Sequence, residues 1–319
     1  MGIVEIENVT KTFGDHVAVD DLSLSVPPGA IYGFIGPNGS GKTTTLRMIM
    51  RIYFPNSGRI RVLGEEDFHA ANDRIGYLPE ERGLYKKMKV REVLRFYAEL
   101  KGRRDFNQLV PAWLQRVDLA EWADKKVDTL SKGMAQKVQF IASVIHEPEL
   151  VILDEPFSGL DPVNLEILRE SVLELRKNGS TVIFSTHDMS MAERMCDFIF
   201  MIYKGRKVLD GTLDSIQARY GQDTVRVRVE SNGYDLGAIR GVEKVTDFGR
   251  WQELRIGEGT NTQEVLTELM RLGPVTHFEL TRPSLHDIFV RIARPAPEDA
   301  GARGPMPLAA EPGSTVPAA

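Results

Sequence analysis

The chain has 319 residues, 42% of them hydrophobic, with 40 Lys and Arg set against 45 Asp and Glu for a formal net charge of -5. That length suits two domains with a sizeable core. The charge balance supplies no basic field for gripping a phosphate backbone, so nucleic acid is excluded as the expected partner. The single cysteine, Cys196, excludes an internal disulfide and any multi-cysteine metal site, and in Met195-Cys-Asp-Phe198 it reads as a small buried hydrophobe.

In chain order, the opening Met1-Gly-Ile-Val-Glu-Ile-Glu7 carries neither a basic flank nor an apolar h-region, so no signal peptide is expected. Ile3, Val4, Ile6 and Val9 read as a strand, followed by a turn cluster at residues 10–15 and period-two alternation through Val17–Val19 and Leu22–Val26, ended by Pro27-Pro-Gly29. Ile31-Tyr-Gly-Phe-Ile35 reads as a buried central strand. It enters a glycine-rich loop directly, and a helical composition runs from Thr43 to Ile52 until Pro55-Asn-Ser-Gly58.

Residues 90–147 read as mostly helical, with Pro148 closing the block. Leu150–Leu153 and Thr181–Phe184 then read as apolar strands separated by a helix over Val163–Lys177, a spacing that predicts a parallel α/β sheet. The longest apolar runs, Leu150–Leu153 and Phe198–Ile202, are far too short to span a bilayer. The expectation is a soluble, cytoplasmic chain that reaches a membrane only through another chain.

The character changes near Tyr220. Thr224–Glu230 alternates strictly, Trp251–Ile256 reads as a strand, Val265–Leu272 as a helix, His277–Leu280 as extended and Pro283–Ala293 as a helix. This predicts a small α+β domain over 220–293 after a first domain at 1–219, with Trp251 and the alternating Val225, Val227 and Val229 in its core. Residues 294–319 are rich in Pro, Ala and Gly and are expected to be a disordered tail.

Gly36-Pro37-Asn38-Gly39-Ser40-Gly41-Lys42-Thr43-Thr44 fits G-x-x-x-x-G-K-[ST], with a strand before it and a helix after it. Glycines let the backbone curl so that its N–H groups face phosphates, and the helix beginning at Lys42 adds the positive end of its dipole. Lys42 is expected at the β and γ phosphates of ATP, and Thr43 on Mg²⁺. The strand Leu150–Leu153 ends in two acids. Asp154 is expected to hold Mg²⁺, directly or through water, and Glu155, one residue on, to face the attacking water as general base or water-positioner.

The order of further motifs resembles the ATP-binding subunits of ABC transporters over about residues 1–215. Leu130-Ser131-Lys132-Gly133-Met134 sits where that family carries its signature loop, Ser158-Gly-Leu-Asp161 is similar to its D-loop, and His187 in Ser185-Thr-His-Asp188 to its switch histidine. Phe13 stands where the family places an aromatic on adenine. The resemblance implies a P-loop ABC ATPase fold, with antiparallel β and helical subdomains around the parallel sheet. It also implies a homodimer or paired ATPase subunits on the inner face of the membrane, joined to a separate permease. Ser131 and Gly133 of one copy would then meet the γ-phosphate held by the other, His187 would touch that phosphate, and Asp161 would couple the two sites.

The chain departs from the family at two places. Glu80 in Tyr77-Leu-Pro-Glu-Glu-Arg82 replaces a usual glutamine and is expected near Mg²⁺, while Lys132 and Met134 replace glycine and glutamine in the signature. With the C-terminal Ser284–Phe289, these variants are similar to sodium-exporter-like ATPases of the ABC-2 type. A basic run of Arg82, Lys86, Lys87, Lys89 and Arg91 lies where the permease would dock, or is simply a solvated loop. Two other classes compete. A soluble ABC protein of ribosomes or DNA would carry two cassettes, long insertions or zinc cysteines, and a structural ATP clamp would not need both Glu155 and His187.

Overall fold

The computed structural model describes residues 2–66, 71–81, 83–220, 223–230, 235–257 and 259–293; Arg82 and the predicted tail lie outside the described residues. The chain divides into two compact units between Arg219 and Tyr220.

In the first unit, a three-stranded antiparallel sheet orders β2 (His16–Val26), β1 (Val4–Phe13) and β4 (Ser57–Val62). A six-stranded sheet orders β5 (Ile75–Leu78), β6 (Leu150–Asp154), β7 (Thr181–Thr186), β3 (Ile31–Ile35), β8 (Phe198–Tyr203) and β9 (Arg206–Gly211). Its first five strands are parallel and β9 returns antiparallel to β8. The central strands are near-continuous apolar runs because apolar layers cover both faces. Their period-two alternation sorts them: Val151, Leu153, Val182 and Phe184 enter one core, while Leu150, Ile152, Ile183, Tyr32 and Phe34 enter the other. Each such side chain contributes about 1.5–3 kcal/mol on burial.

The predicted helix from Thr43 to Ile52 is shorter in the structure. Helix α1 (Lys42–Ile49) stops early because Arg51 takes φ 54, with its guanidinium donating to Ile60 O at 2.8 Å. The long helical block resolves into α2 (Val90–Leu100), α3 (Phe106–Arg116) and α4 (Lys132–Val144), separated near Gly102 and Asp118, both at positive φ. Helices α5 (Pro162–Lys177), α6 (Met189–Met195) and α7 (Leu213–Ala218) follow. Cys196, expected to be buried, is partly buried at the end of α6. A Cβ on Gly33 would lie 2.5 Å from its Sγ, so that strand position has no room for a side chain.

His146 is buried just after α4, with Nε2 3.2 Å from Ile75 O. Burial pushes its pKa down to about 4, against the pull of the Ile75 carbonyl. As pH falls below the ordinary histidine value the unfolded chain takes up a proton that the folded chain refuses, so stability falls between roughly pH 6.5 and 4. Between pH 7.5 and 5, wild type is expected to lose about 2 kcal/mol more than His146→Gln in urea titrations. Parallel losses in the two proteins would refute this.

In the second unit, β11 (Val242–Asp247), β12 (Gln252–Ile256), β10 (Thr224–Val229) and β13 (Val275–Thr281) lie in that spatial order, all antiparallel. The helices are α8 (Thr262–Leu272) and α9 (Leu285–Ala293). Val225, Val227, Leu254, Ile256, Val265 and Leu269 form the core, with Val229 packed partly against it. Trp251 does not join them. It is 41% exposed beside the β11–β12 turn, because alternation gives the core Leu254 and Ile256 and turns residues 251, 253 and 255 the other way. Its ring lies under the Arg226 guanidinium at 4.9 Å.

Candidate functional site

Adjacent strands β6, β7 and β3 end at one edge of the parallel sheet, which brings three separate loops together. From β3 the chain enters 36–41 with Gly36 at φ 150 and Gly41 at φ 112. A Cβ would lie 2.3 Å from Ile202 O at the first and 2.6 Å from Ala18 O at the second, so only glycine lets this backbone curl against its neighbours. Gly41 begins α1 with no side-chain cap, leaving the first-turn N–H groups facing the loop. Pro37, Asn38 and Gly39 form the outer arc, Asn38 and Gly39 exposed; Ser40 is buried, and Thr43 and Thr44 are half-buried at the first turn.

The Lys42 ammonium folds back over the loop, donating to Gly36 O at 2.8 Å and Pro37 O at 3.1 Å. It lies 3.9 Å from Glu155 Oε1, with both side chains nearly fully buried. Burial lowers its pKa, opposed by the carboxylates of Glu155, Asp154 and Glu80.

Asp154 is fully buried at the end of β6. Its Oδ1 accepts from Thr43 Oγ1 at 3.1 Å and from Ser185 Oγ at 2.5 Å. Among the described residues its Oδ2 has no partner, and neither has the buried Ser40 Oγ. An orphaned carboxylate oxygen beside a threonine hydroxyl fits a bound cation, and an orphaned hydroxyl in a glycine cradle fits a bound anion. Glu155 takes φ 49, its N–H donating to Ser185 Oγ at 2.9 Å. This turns its carboxylate toward His187, whose Nδ1 lies 3.0 and 3.1 Å from the two oxygens. Ser185 thus fixes both acids, a role that nothing in its local sequence signals.

The other predicted residues lie apart from this cluster in sequence. Glu80 is exposed just beyond β5, the strand beside β6, and its charge reaches Lys42. Phe13, 43% exposed, closes β1 with Tyr53 edge-on at 5.2 Å. Ser131 caps α4, its Oγ accepting from Met134 N at 3.3 Å. Gly133 faces Asn164, whose Nδ2 would be 3.1 Å from a Cβ there. The Asp161 carboxylate is committed to its own helix, accepting from Val163 N at 3.1 Å and from both the N–H and the side-chain amide of Asn164. Donation by Asn164 holds it below the usual carboxylate range. Lys132 lies over Gly159, and Met134 packs against the core, so both signature departures are accommodated within the chain. In the basic run, Lys87 pairs with Asp128 at 3.2 Å and Arg91 with Asp124 at 2.5 Å, which offsets much of the positive field.

Residues 19–158 match the family model described as ABC transporter, and residues 211–293 match one described as ATP-binding protein DrrA1-3-like, C-terminal domain. The chain is 42% identical over 290 residues to the uncharacterized ABC transporter ATP-binding protein YhaQ of Bacillus subtilis (strain 168), covering 90% of this chain and 97% of that one. It is 37% identical over 302 residues to the Nod factor export ATP-binding protein I of Cupriavidus metallidurans, covering 91% and 97%. A solved structure titled as that of the ATP binding subunit of an ABC transporter superposes with a TM-score of 0.64 at 27% identity, covering 84% of this chain and 99% of that one. By fold, sequence and site, the chain belongs to the ATP-binding subunits of ABC transporters.

Proposed function

We propose that the 36–44 loop binds ATP, that Glu155 is the general base of its hydrolysis, and that two copies close around the nucleotide to drive an exporting permease. The observation that carries this reading is the buried cluster of Lys42, Asp154 and Glu155 at one sheet edge, with the exposed His187 bonded to Glu155 at its mouth. Lys42 exchanges its main-chain acceptors, Gly36 O and Pro37 O, for β- and γ-phosphate oxygens. A bound Mg²⁺ would neutralise part of the phosphate charge. Asp154 and Thr43 would hold it with Glu80 nearby; the described residues contain no cage of three or more acids, histidines or cysteines, so phosphate and water would complete its shell.

Glu155 accepts a proton from the water that attacks the γ-phosphorus, while the bond from phosphorus to the β–γ bridging oxygen breaks. His187, engaged with Glu155 through Nδ1, would present Nε2 to the γ-phosphate. Phe13 offers an exposed ring for adenine.

In each copy Ser131 caps its own helix and stays exposed, and Gly133 lies beside Asn164, so both would be open to the γ-phosphate of a facing copy, beside a cap-fixed Asp161. Among the described residues no helix is long and apolar enough to cross a membrane, so transport would run through a permease, with this chain on its cytoplasmic side. Export is supported by the relative named for Nod factor export. The unit from 220 to 293 would be an accessory domain.

Sedimentation with Mg·ATP tests the pairing. Glu155→Gln is expected to run as a dimer. Adding Ser131→Arg is expected to return it to monomer, with nucleotide affinity changed less than about threefold. A dimer that ignores Ser131→Arg would refute closure through the signature loop.

A further inference from the structure

Helix α4 begins at the Ser131 cap and buries most of its length, its Val138, Phe140 and Ile141 joining the apolar core. Two of its buried side chains are amides, Gln136 and Gln139, three residues apart and therefore on one face. Gln136 Nε2 donates to Pro156 O at 3.2 Å, the carbonyl immediately after Glu155. Gln139 Nε2 donates to Glu81 O at 3.0 Å and, at the limit of hydrogen bonding, to Pro79 O at 3.5 Å. These two carbonyls bracket Glu80.

Two carbonyl acceptors fix which way the Gln139 amide points, because the opposite flip would set its oxygen against both. Both of its N–H bonds are then spent on the Glu80 loop. Its Oε1 is buried and has no partner among the described residues, a cost to stability that an apolar side chain at this place would avoid. Packing alone therefore does not account for glutamine at 139.

We propose that Gln139 is a positioning residue for Glu80: it clamps the loop on both sides of that carboxylate to the helix that carries the signature serine. The inference rests on the reading of Glu80 as a metal-side carboxylate. Glu80 itself is exposed and sits on a loop end, so without the clamp its carboxylate is free to swing away from the cation. With the clamp, Glu80 moves with α4, and a shift of Ser131 is carried about 12 Å along a rigid helix to the cation side of the same copy's nucleotide. Gln136 gives the same helix a grip on the segment following Glu155.

The test is a double-mutant cycle on the full chain, read as binding. For each protein the dissociation constant of the non-hydrolysable analogue adenylyl imidodiphosphate is measured by calorimetry in EDTA and in excess Mg²⁺. The ratio of the two constants reports the metal's share of affinity, and because it is taken within one protein, general loosening of the fold cancels. Glu80→Ala and Gln139→Ala are each expected to lower the ratio about tenfold, at the lower end for groups that orient metal ligands, with the double variant no lower than Glu80→Ala alone. If Gln139→Ala folds poorly, Gln139→Met decides, since it keeps the length of the side chain and removes the amide, whose oxygen has no partner among the described residues and whose N–H groups make the clamp. A ratio unchanged in the Gln139 variants, or lowered additively in the double variant, overturns the clamp while leaving Glu80 at the metal. A ratio unchanged in Glu80→Ala overturns the metal-side reading of Glu80 and the clamp with it.

Discussion

Replacing Glu155 by glutamine is expected to cut ATP turnover roughly 10³-fold while leaving nucleotide affinity unchanged or slightly tighter. Glutamine has the same shape, and its amide can still meet His187, so the loop set by Ser185 and by the left-handed backbone at 155 survives. What is lost is a buried anion able to accept a proton. Its removal also withdraws one negative charge beside the triphosphate site, which favours retention of the nucleotide. The check is steady-state phosphate release by the purified chain, with calorimetry for binding. Turnover within twofold of wild type would mean that another group takes the proton.

Lys42→Ala is expected to weaken ATP binding by about 3 kcal/mol, roughly 100-fold in Kd, and to abolish measurable turnover at millimolar nucleotide. Two effects act in the same direction. The phosphates lose their one buried cation in the loop, and Asp154 and Glu155 lose the ammonium that offsets their charge. Addition of salt should widen the gap little, because the pair is shielded from solvent. Calorimetry with ATP in EDTA isolates the effect from the metal, and a Kd within threefold of wild type would sink the assignment.

The parallel α/β sheet and the family were legible because their signals are contiguous. The loop at 36–44 sits between a five-residue apolar run and a helix, and Asp154 and Glu155 cap another apolar run. Trp251 was misread because burial is assigned by strand alternation and not by ring size, and the parity of β12 points it outward. The end of α1 was misread because the φ of Arg51 answers to a carbonyl on β4. Nothing local marks Ser185, Gln136 or Gln139. Each acts on a loop at least 20 residues away in sequence, and only the folded chain brings those atoms within reach.

The sorting of alternate residues of β6 into two apolar layers has a mechanical consequence. Sliding that strand by a single residue would exchange Leu150 and Ile152 with Val151 and Leu153, exposing each set to the wrong layer, and would carry Asp154 about 3.3 Å along the strand axis. Four greasy side chains that never touch a phosphate thus index the acid's position like teeth on a ratchet.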